Sequence, residues 1–109
     1  MSDSRLEPAW TALKASGRTA LIPYITSGYP TRDASLAALR AAAEVSDIIE
    51  VGVPFSDPLA DGPTIQRSTF EALRQGMTLP GTLELIARAE STVPVVVFSY
   101  LNPILRYGV

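Results

Sequence analysis

The sequence predicts an α/β fold in which strands and helices alternate around a parallel sheet. Three short apolar runs, at residues 20–26, 47–53 and 94–100, are typical of strands that are buried on both faces. Segments with helical periodicity lie between them, and this alternation predicts successive βαβ units. Right-handed crossovers would place every strand-to-helix loop at the carboxyl end of the sheet, where such folds keep their functional sites.

The predicted elements begin with a short helix and end with a loop. Residues 5–16 place their large apolar side chains at helical spacing: Leu6, Trp10 and Leu13. Gly17 suits a left-handed stop, and we expect this helix to cover an apolar surface. Pro23 interrupts the first strand, residues 20–26, and weakens that prediction because proline cannot donate to a ladder. After the third strand, residues 101–103 are predicted to begin a loop.

Three further helices are predicted between the strands. Thr31 is a candidate N-cap for an alanine-rich helix with an inward face of Leu36, Leu39 and Ala43. Residues 64–75 form the next helix, which Gly76 ends, with inward positions Ile65, Thr69, Ala72 and Leu73. Thr78 then caps a helix that extends to about Glu90, with a buried stripe of Leu79, Leu83, Ile86 and Ala87.

Composition limits the chemistry available to the chain. It has 109 residues, no cysteine and no histidine, and Lys14 is its only lysine. These absences remove thiolate and imidazole ligands, a Cys nucleophile and the commonest proton shuttle, so we expect no bound metal. Lys14 lies in a predicted surface helix, which leaves no plausible Schiff-base amine. Acid–base chemistry therefore has to use Asp, Glu or Tyr.

Charge and hydropathy narrow the range of partners. The net charge is −2 and the basic residues are scattered, which predicts neither a nucleic-acid surface nor an anionic membrane as partner. No apolar stretch approaches the roughly 18 residues of a membrane span, and residues 1–7 lack the features of a signal peptide. The lack of both features makes a cytoplasmic protein the expectation, and 47% hydrophobic residues predict a folded core.

Glu50 interrupts the apolar run of residues 48–53. A carboxylate inside a buried strand is costly to ionise without a partner, and such an acid suits general acid–base catalysis. The alternative is a surface glutamate near the end of a half-exposed strand. Gly52 shares the side of the strand with Glu50 and would leave space above it, or else mark a bend in the strand.

The loop that follows, residues 54–63, carries Asp57 and Asp61 among several prolines. Asp-Pro and Asp-Gly are turn dipeptides, because Asp often bonds its own backbone. Asp61 also precedes a predicted helix, so capping and turn formation compete with catalysis for it. Thr64 and Gln66 are ordinary residues for the first turn of a helix.

Three blocks of sequence resemble the tryptophan synthase alpha chain family: residues 21–30, 49–66 and 100–104. The second block is long and uninterrupted, and the resemblance extends from about residue 5 to the last residue. It implies a (β/α)8 TIM barrel of which the first three strand–helix units are present, in a single domain preceded by a short helix. It also implies a lyase that cleaves indole-3-glycerol phosphate to indole and glyceraldehyde 3-phosphate.

The resemblance gives roles to particular residues. Glu50 corresponds to the family's catalytic acid–base glutamate, and Asp61 to the aspartate that holds the indole N–H. Tyr24, where the family often has Phe, corresponds to an aromatic residue of the indole pocket. Phe98 and Tyr100 match pocket residues on the third strand, with core packing as the alternative.

The resemblance also implies a partner, the beta chain of an α2β2 tetramer, which holds pyridoxal phosphate; the chain itself would need no cofactor. Residues 54–63 match the loop that meets the beta chain. Pro54, Asp57 and Pro58 are its interface candidates, with turn formation as the alternative for Asp57.

A complete barrel of this type has eight strands in about 250 residues, and its phosphate-binding loops follow strands seven and eight. We therefore expect a truncated alpha chain that is inactive by itself and exposes an unpaired edge on its third strand. Two alternatives are another phosphate-binding barrel enzyme of the same pathway and a non-catalytic piece that docks onto the beta chain.

Overall fold

The computed structural model describes residues 4–108. Its elements in chain order are α1 (Leu6–Ser16), β1 (Tyr24–Thr26), α2 (Arg32–Ala43), β2 (Ile49–Gly52), α3 (Pro63–Arg74), α4 (Leu79–Ala89), β3 (Val95–Phe98) and α5 (Leu101–Tyr107). Within these residues no helix combines the length and apolar character that crossing a membrane requires.

The strands form one parallel sheet in the order β1-β2-β3, as the sequence predicts. Glu50 of β2 lies in register between Tyr24 of β1 and Val96 of β3. One level nearer the carboxyl end, Gly52 lies between Thr26 and Phe98. The register therefore brings Tyr24, Glu50 and Phe98 to two adjacent levels of the sheet. Tyr100, which was predicted to end the third strand, lies beyond β3 as the N-cap residue of α5.

Helices cover one face of the sheet. Ile49 and Val51 of β2 are fully buried, at 0% exposure, in a cluster with Leu39 of α2 and Leu85 of α4. The cluster also contains Leu36, Ala72, Met77 and Ala89. Because side chains alternate along a strand, Glu50 and Gly52 lie on the opposite face. The core thus fixes which face is left for a ligand.

The predicted helix ends are confirmed. Thr31 caps α2 by accepting a hydrogen bond from the Ala34 N–H at 3.0 Å, and Thr78 caps α4 through the Gly81 N–H at 3.1 Å. Gly17 ends α1 with φ 72°, a left-handed conformation that glycine adopts without steric cost. Local side-chain chemistry thus explains these boundaries.

β1 is shorter than predicted, because only residues 24–26 form strand. Pro23 lacks an N–H, although its carbonyl still accepts from the Glu50 N–H at 2.9 Å. The prediction that α1 covers apolar surface holds for Leu13, which is buried, whereas Trp10 is 46% exposed.

The predicted buried stripe of α4 was partly wrong. Leu79 is buried as expected, but the other buried positions are Thr82, Leu85 and Ala89, and Ala87 is exposed. Thr82 is polar, so a pattern of apolar residues does not include it. Its hydroxyl donates to the Thr78 carbonyl at 2.8 Å and contacts the Ser27 hydroxyl at 2.6 Å, so its burial leaves no unpaired polar group.

The predicted loop at residues 101–103 is wrong, since α5 begins at Leu101. Pro103 occupies the first turn of this helix, where its missing N–H has no intrahelical partner to lose. The expectation that β3 is buried on both faces is also wrong, because Val97 and Phe98 are 39% and 50% exposed. Within residues 4–108 no strand pairs with the outer edge of β3.

Candidate functional site

The uncovered face of the sheet carries the candidate acid–base residue. Glu50 is partly buried at the middle of β2, next to Tyr24 on β1. It points away from the helix-covered core, as acid–base chemistry on a bound ligand requires. Glu50 is only partly buried and lies on the uncovered face, so the alternative of a surface glutamate stays open.

Tyr24 lies directly over Gly52. A Cβ atom at Gly52 would come within 1.9 Å of the Tyr24 hydroxyl oxygen, so only glycine permits this arrangement. The space that Gly52 was expected to leave is therefore occupied by the phenol. Phe98 of β3 meets the Tyr24 ring edge-on, with ring centroids 6.0 Å apart. The two rings form an aromatic wall beside Glu50.

Burial raises the pKa of Tyr24, and the negative charges of Asp61 and Glu50 raise it further by disfavouring the phenolate. A long hydrogen bond of 3.5 Å from the Thr26 hydroxyl acts in the opposite direction. Both candidate carboxylates therefore act electrostatically on the same phenol. The fold brings Glu50 from β2 and Asp61 from the following loop to one aromatic site.

Asp61 lies at the end of the loop and does not cap α3. The N-cap of that helix is Gly62, and no side chain of the described residues caps it. The Asp61 N–H donates to the Pro58 carbonyl at 3.1 Å, which is a backbone turn contact. Of the alternatives for Asp61, capping is wrong, while turn formation uses only its main chain. Its carboxylate is left for other interactions.

Two side chains, those of Tyr100 and Gln66, make contacts at this loop that were not predicted. The Tyr100 hydroxyl accepts a hydrogen bond from the Ala60 N–H at 2.8 Å, and the Tyr100 ring packs on Phe55 with centroids 5.2 Å apart. The Gln66 side-chain amide donates to the Asp61 carbonyl at 2.8 Å and to the Pro58 carbonyl at 3.2 Å. The hydrogen bonds involve main-chain N–H and C=O groups, which every residue type except proline carries in full. The sequence therefore contains no pattern that predicts them.

The interface candidates differ in accessibility. Pro54 is buried and Pro58 half-buried, whereas Asp57 is exposed and accepts a hydrogen bond from the Ser56 hydroxyl at 2.9 Å. Leu59 is 89% exposed at the tip of the loop. Asp57 and Leu59 are thus accessible to a partner, whereas Pro54 presents almost no surface.

The arrangement suits proton transfer on a flat aromatic ligand. One carboxylate projects from the sheet, a second lies in the loop above its carboxyl end, and aromatic rings line the space beside them. Among residues 4–108 no group of three or more His, Cys, Asp or Glu side chains is placed to hold a metal ion.

Consecutive parallel strands joined through helices, with acids and aromatic rings at their carboxyl ends, place the chain in the (β/α)8-barrel class. The family model described as tryptophan synthase alpha chain matches residues 10–109. The chain belongs to that family.

Relatives and solved structures agree with this assignment. A tryptophan synthase alpha chain of Laribacter hongkongensis is 47% identical over 109 residues, covering 96% of this chain and 41% of the relative. The tryptophan synthase of Saccharomyces cerevisiae is 45% identical over 95% of this chain and 15% of its own length. The aminoacrylate-bound crystal structure of tryptophan synthase from M. tuberculosis superimposes with a TM-score of 0.87 at 50% identity, covering 96% of this chain and 44% of that one. The chain thus spans about two fifths of the length of the alpha chains that it matches.

Proposed function

We propose that this chain supplies the acid–base residues of an enzyme of tryptophan biosynthesis that cleaves indole-3-glycerol phosphate to indole and glyceraldehyde 3-phosphate. The observation that carries the proposal is the sheet register that places Glu50 beside Tyr24, below a loop whose Ala60–Asp61 segment is tied to Tyr100, in a chain of the alpha-chain family. The uncovered face of the sheet offers a flat ligand the aromatic wall of Tyr24 and Phe98.

Glu50 is the proposed proton-transfer group. Indole C3 accepts a proton before its bond to the glycerol carbon breaks. Loss of the hydroxyl proton on that carbon produces the aldehyde, and the bonding electrons return to the ring to give indole. One carboxyl group can serve both proton transfers if it lies beside the breaking bond, and its partly buried position favours such exchange.

Asp61 is the proposed electrostatic partner. Protonation at C3 places positive charge on the indole nitrogen, and a carboxylate fixed nearby stabilises that charge as it develops. Asp61 is suited to this role because its main chain, and not its side chain, forms the turn. Tyr24, Phe98 and Tyr100 are proposed to enclose the indole ring.

Turnover is proposed to need more of the barrel than this chain contains. The phosphate-binding loops of such barrels follow strands seven and eight, whereas residues 4–108 form three strands. The partner is proposed to be a tryptophan synthase beta chain in an α2β2 tetramer. It would contact Asp57, Pro58 and Leu59, and would hold the pyridoxal phosphate, so that this chain needs no cofactor.

The proposal is tested in a chimera in which residues 1–109 replace the matching segment of the L. hongkongensis alpha chain. Glu50→Gln keeps the shape of the side chain but removes its acid–base function. We expect release of indole from indole-3-glycerol phosphate to fall on the order of a hundredfold or more, since general acid–base catalysis contributes about that much.

Glu84→Gln, the same chemical change at an exposed position of α4, is the control and should leave the rate unchanged. If Glu50→Gln released indole as fast as the unmodified chimera, the catalytic role would be wrong. Binding of the beta chain by that variant would then favour the non-catalytic docking alternative.

A further inference from the structure

We propose that Gln66 and Tyr100 are positioning residues that hold Asp61 from both sides. This proposal rests on the proposed function, because Asp61 is the group that is positioned. By residue type Gln66 is an ordinary residue of a helix's first turn, and the family resemblance makes Tyr100 a residue of the ligand pocket. Their contacts give each of them a second role, which we call the Asp61 clamp.

The clamp grips the main chain on either side of the Asp61 Cα atom. On the amino side, the N–H of Ala60 donates to the Tyr100 hydroxyl at 2.8 Å. On the carboxyl side, the Asp61 carbonyl accepts from the Gln66 amide at 2.8 Å. The same amide also donates to the Pro58 carbonyl at 3.2 Å, so Gln66 contacts the loop at two points. Both partners of Gln66 are carbonyl oxygens, which only accept, so the amide nitrogen has to face them.

Each half of the clamp is mounted on a rigid element. Gln66 lies in the first turn of α3, where its own N–H bonds the Gly62 carbonyl at 2.9 Å. Tyr100 lies two residues after the end of β3, at the N-cap of α5, and its ring packs on Phe55. The loop that carries Asp61 is therefore tied both to α3 and to the start of α5.

This geometry matters for the chemistry because electrostatic stabilisation depends on position. A displacement of about 1 Å at a reacting centre can cost on the order of a hundredfold in rate. Gln66 is exposed, so water can replace it as the hydrogen-bond partner of the two carbonyl groups. Its substitution should therefore change the overall stability little. A positioning role therefore predicts a large change in kcat with a small change in the midpoint of thermal unfolding, whereas a merely structural role predicts the reverse.

The test uses Gln66→Met and Tyr100→Phe in the chimera. Each variant removes hydrogen bonding while keeping the size of the side chain. We expect amide exchange in the segment 58–62 to accelerate in both, and kcat for indole release to fall about tenfold or more with KM nearly unchanged, since the interaction with Asp61 is made in the transition state. Arg67→Met, the same replacement at the neighbouring exposed position, is the control and should change neither quantity.

The deciding comparison repeats Gln66→Met in an Asp61→Asn background. If Gln66 acts through Asp61, the second substitution should lower kcat little further, because residues that act as a unit are not additive. A full additional loss would overturn the clamp, as would unchanged amide exchange in the single variants. A different result would contradict the proposed function and leave the clamp intact. In that case Asp61→Asn alone would not change indole release, while amide exchange in the segment 58–62 would still accelerate in the Gln66→Met and Tyr100→Phe variants.

Discussion

Gly52 and Tyr24 form a matched pair on neighbouring strands. The phenol can lie across β2 only because Gly52 has no side chain, and this position holds the Tyr24 hydroxyl near both candidate carboxylates. The shape of the site therefore depends on the lack of a Cβ atom at Gly52. For this reason a conservative change at Gly52 should have a larger effect than its size suggests.

Gly52→Ala in the chimera should lower the free energy of unfolding by about 1–3 kcal/mol, the usual cost of overpacking. The added Cβ would lie 1.9 Å from the Tyr24 hydroxyl oxygen and 2.5 Å from Cζ. Tyr24→Leu lacks both of these atoms, so the penalty should largely disappear when the two substitutions are combined. Denaturant unfolding of the four proteins measures this, and an equal penalty in both backgrounds would contradict it.

Among the connections between elements, Asp47 links the segment before β1 to the start of β2. Its carboxylate accepts from the Arg18 guanidinium and from the Leu21 N–H, both at 2.8 Å, and its own N–H donates to the Leu21 carbonyl at 3.0 Å. The hydrogen bond from Arg18, followed by that from Leu21, holds the pKa of Asp47 below its ordinary value of 3.8. The amino ends of the two strands are thus joined by a link that depends on charge.

This link should lose its contribution in acid. Because the folded state lowers the pKa of Asp47, the folded protein binds the proton less readily than the unfolded chain does. The stabilisation is therefore present above about pH 3.8 and is lost as the pH falls below it. We expect the difference in thermal midpoint between the unmodified chimera and Asp47→Asn to shrink over that range.

Arg18→Gln is the matched change on the other side of the pair, and its effect should not add to that of Asp47→Asn. A midpoint difference that stayed constant down to the lowest pH at which the protein folds would show that Asp47 does not provide the link.

At the scale of the whole molecule, helices cover one face of the sheet, and one edge of the sheet, that of β3, is unpaired. The outer edge of β3 pairs with no strand within residues 4–108. Large apolar side chains are exposed on β3 and on the helix α5 that follows it: Val97, Phe98, Leu101, Leu105 and Tyr107. Unpaired strand edges and contiguous apolar patches both favour association with other chains.

The purified 109-residue chain should therefore self-associate as its concentration rises and should release no indole from indole-3-glycerol phosphate. The chimera, in which further strands are available to cover β3, should do neither. Sedimentation velocity and a steady-state assay measure the two properties. A monomeric chain that turned over substrate at a rate near that of the chimera would contradict the prediction.

The sequence by itself determined the parallel α/β order, the caps at Thr31 and Thr78, and the acid-bearing loop, because these follow from periodicity and from contacts between near neighbours in the chain. It also identified Glu50, since a charged residue in an apolar run is visible without coordinates. The rotated stripe of α4 and the start of α5 at Leu101 were not predictable in this way. A buried threonine or a proline in a first turn is acceptable only when its hydrogen bonds are accounted for.

Only the tertiary structure decided what surrounds Asp61 and Tyr24. The contacts of Tyr100 with Ala60 and of Tyr24 with Gly52 join segments that are 40 and 28 residues apart, and they depend on the register of the sheet. Main-chain groups accept or donate whatever side chain they carry. Their partners therefore leave no signal in residue types and become visible only when the fold brings them together.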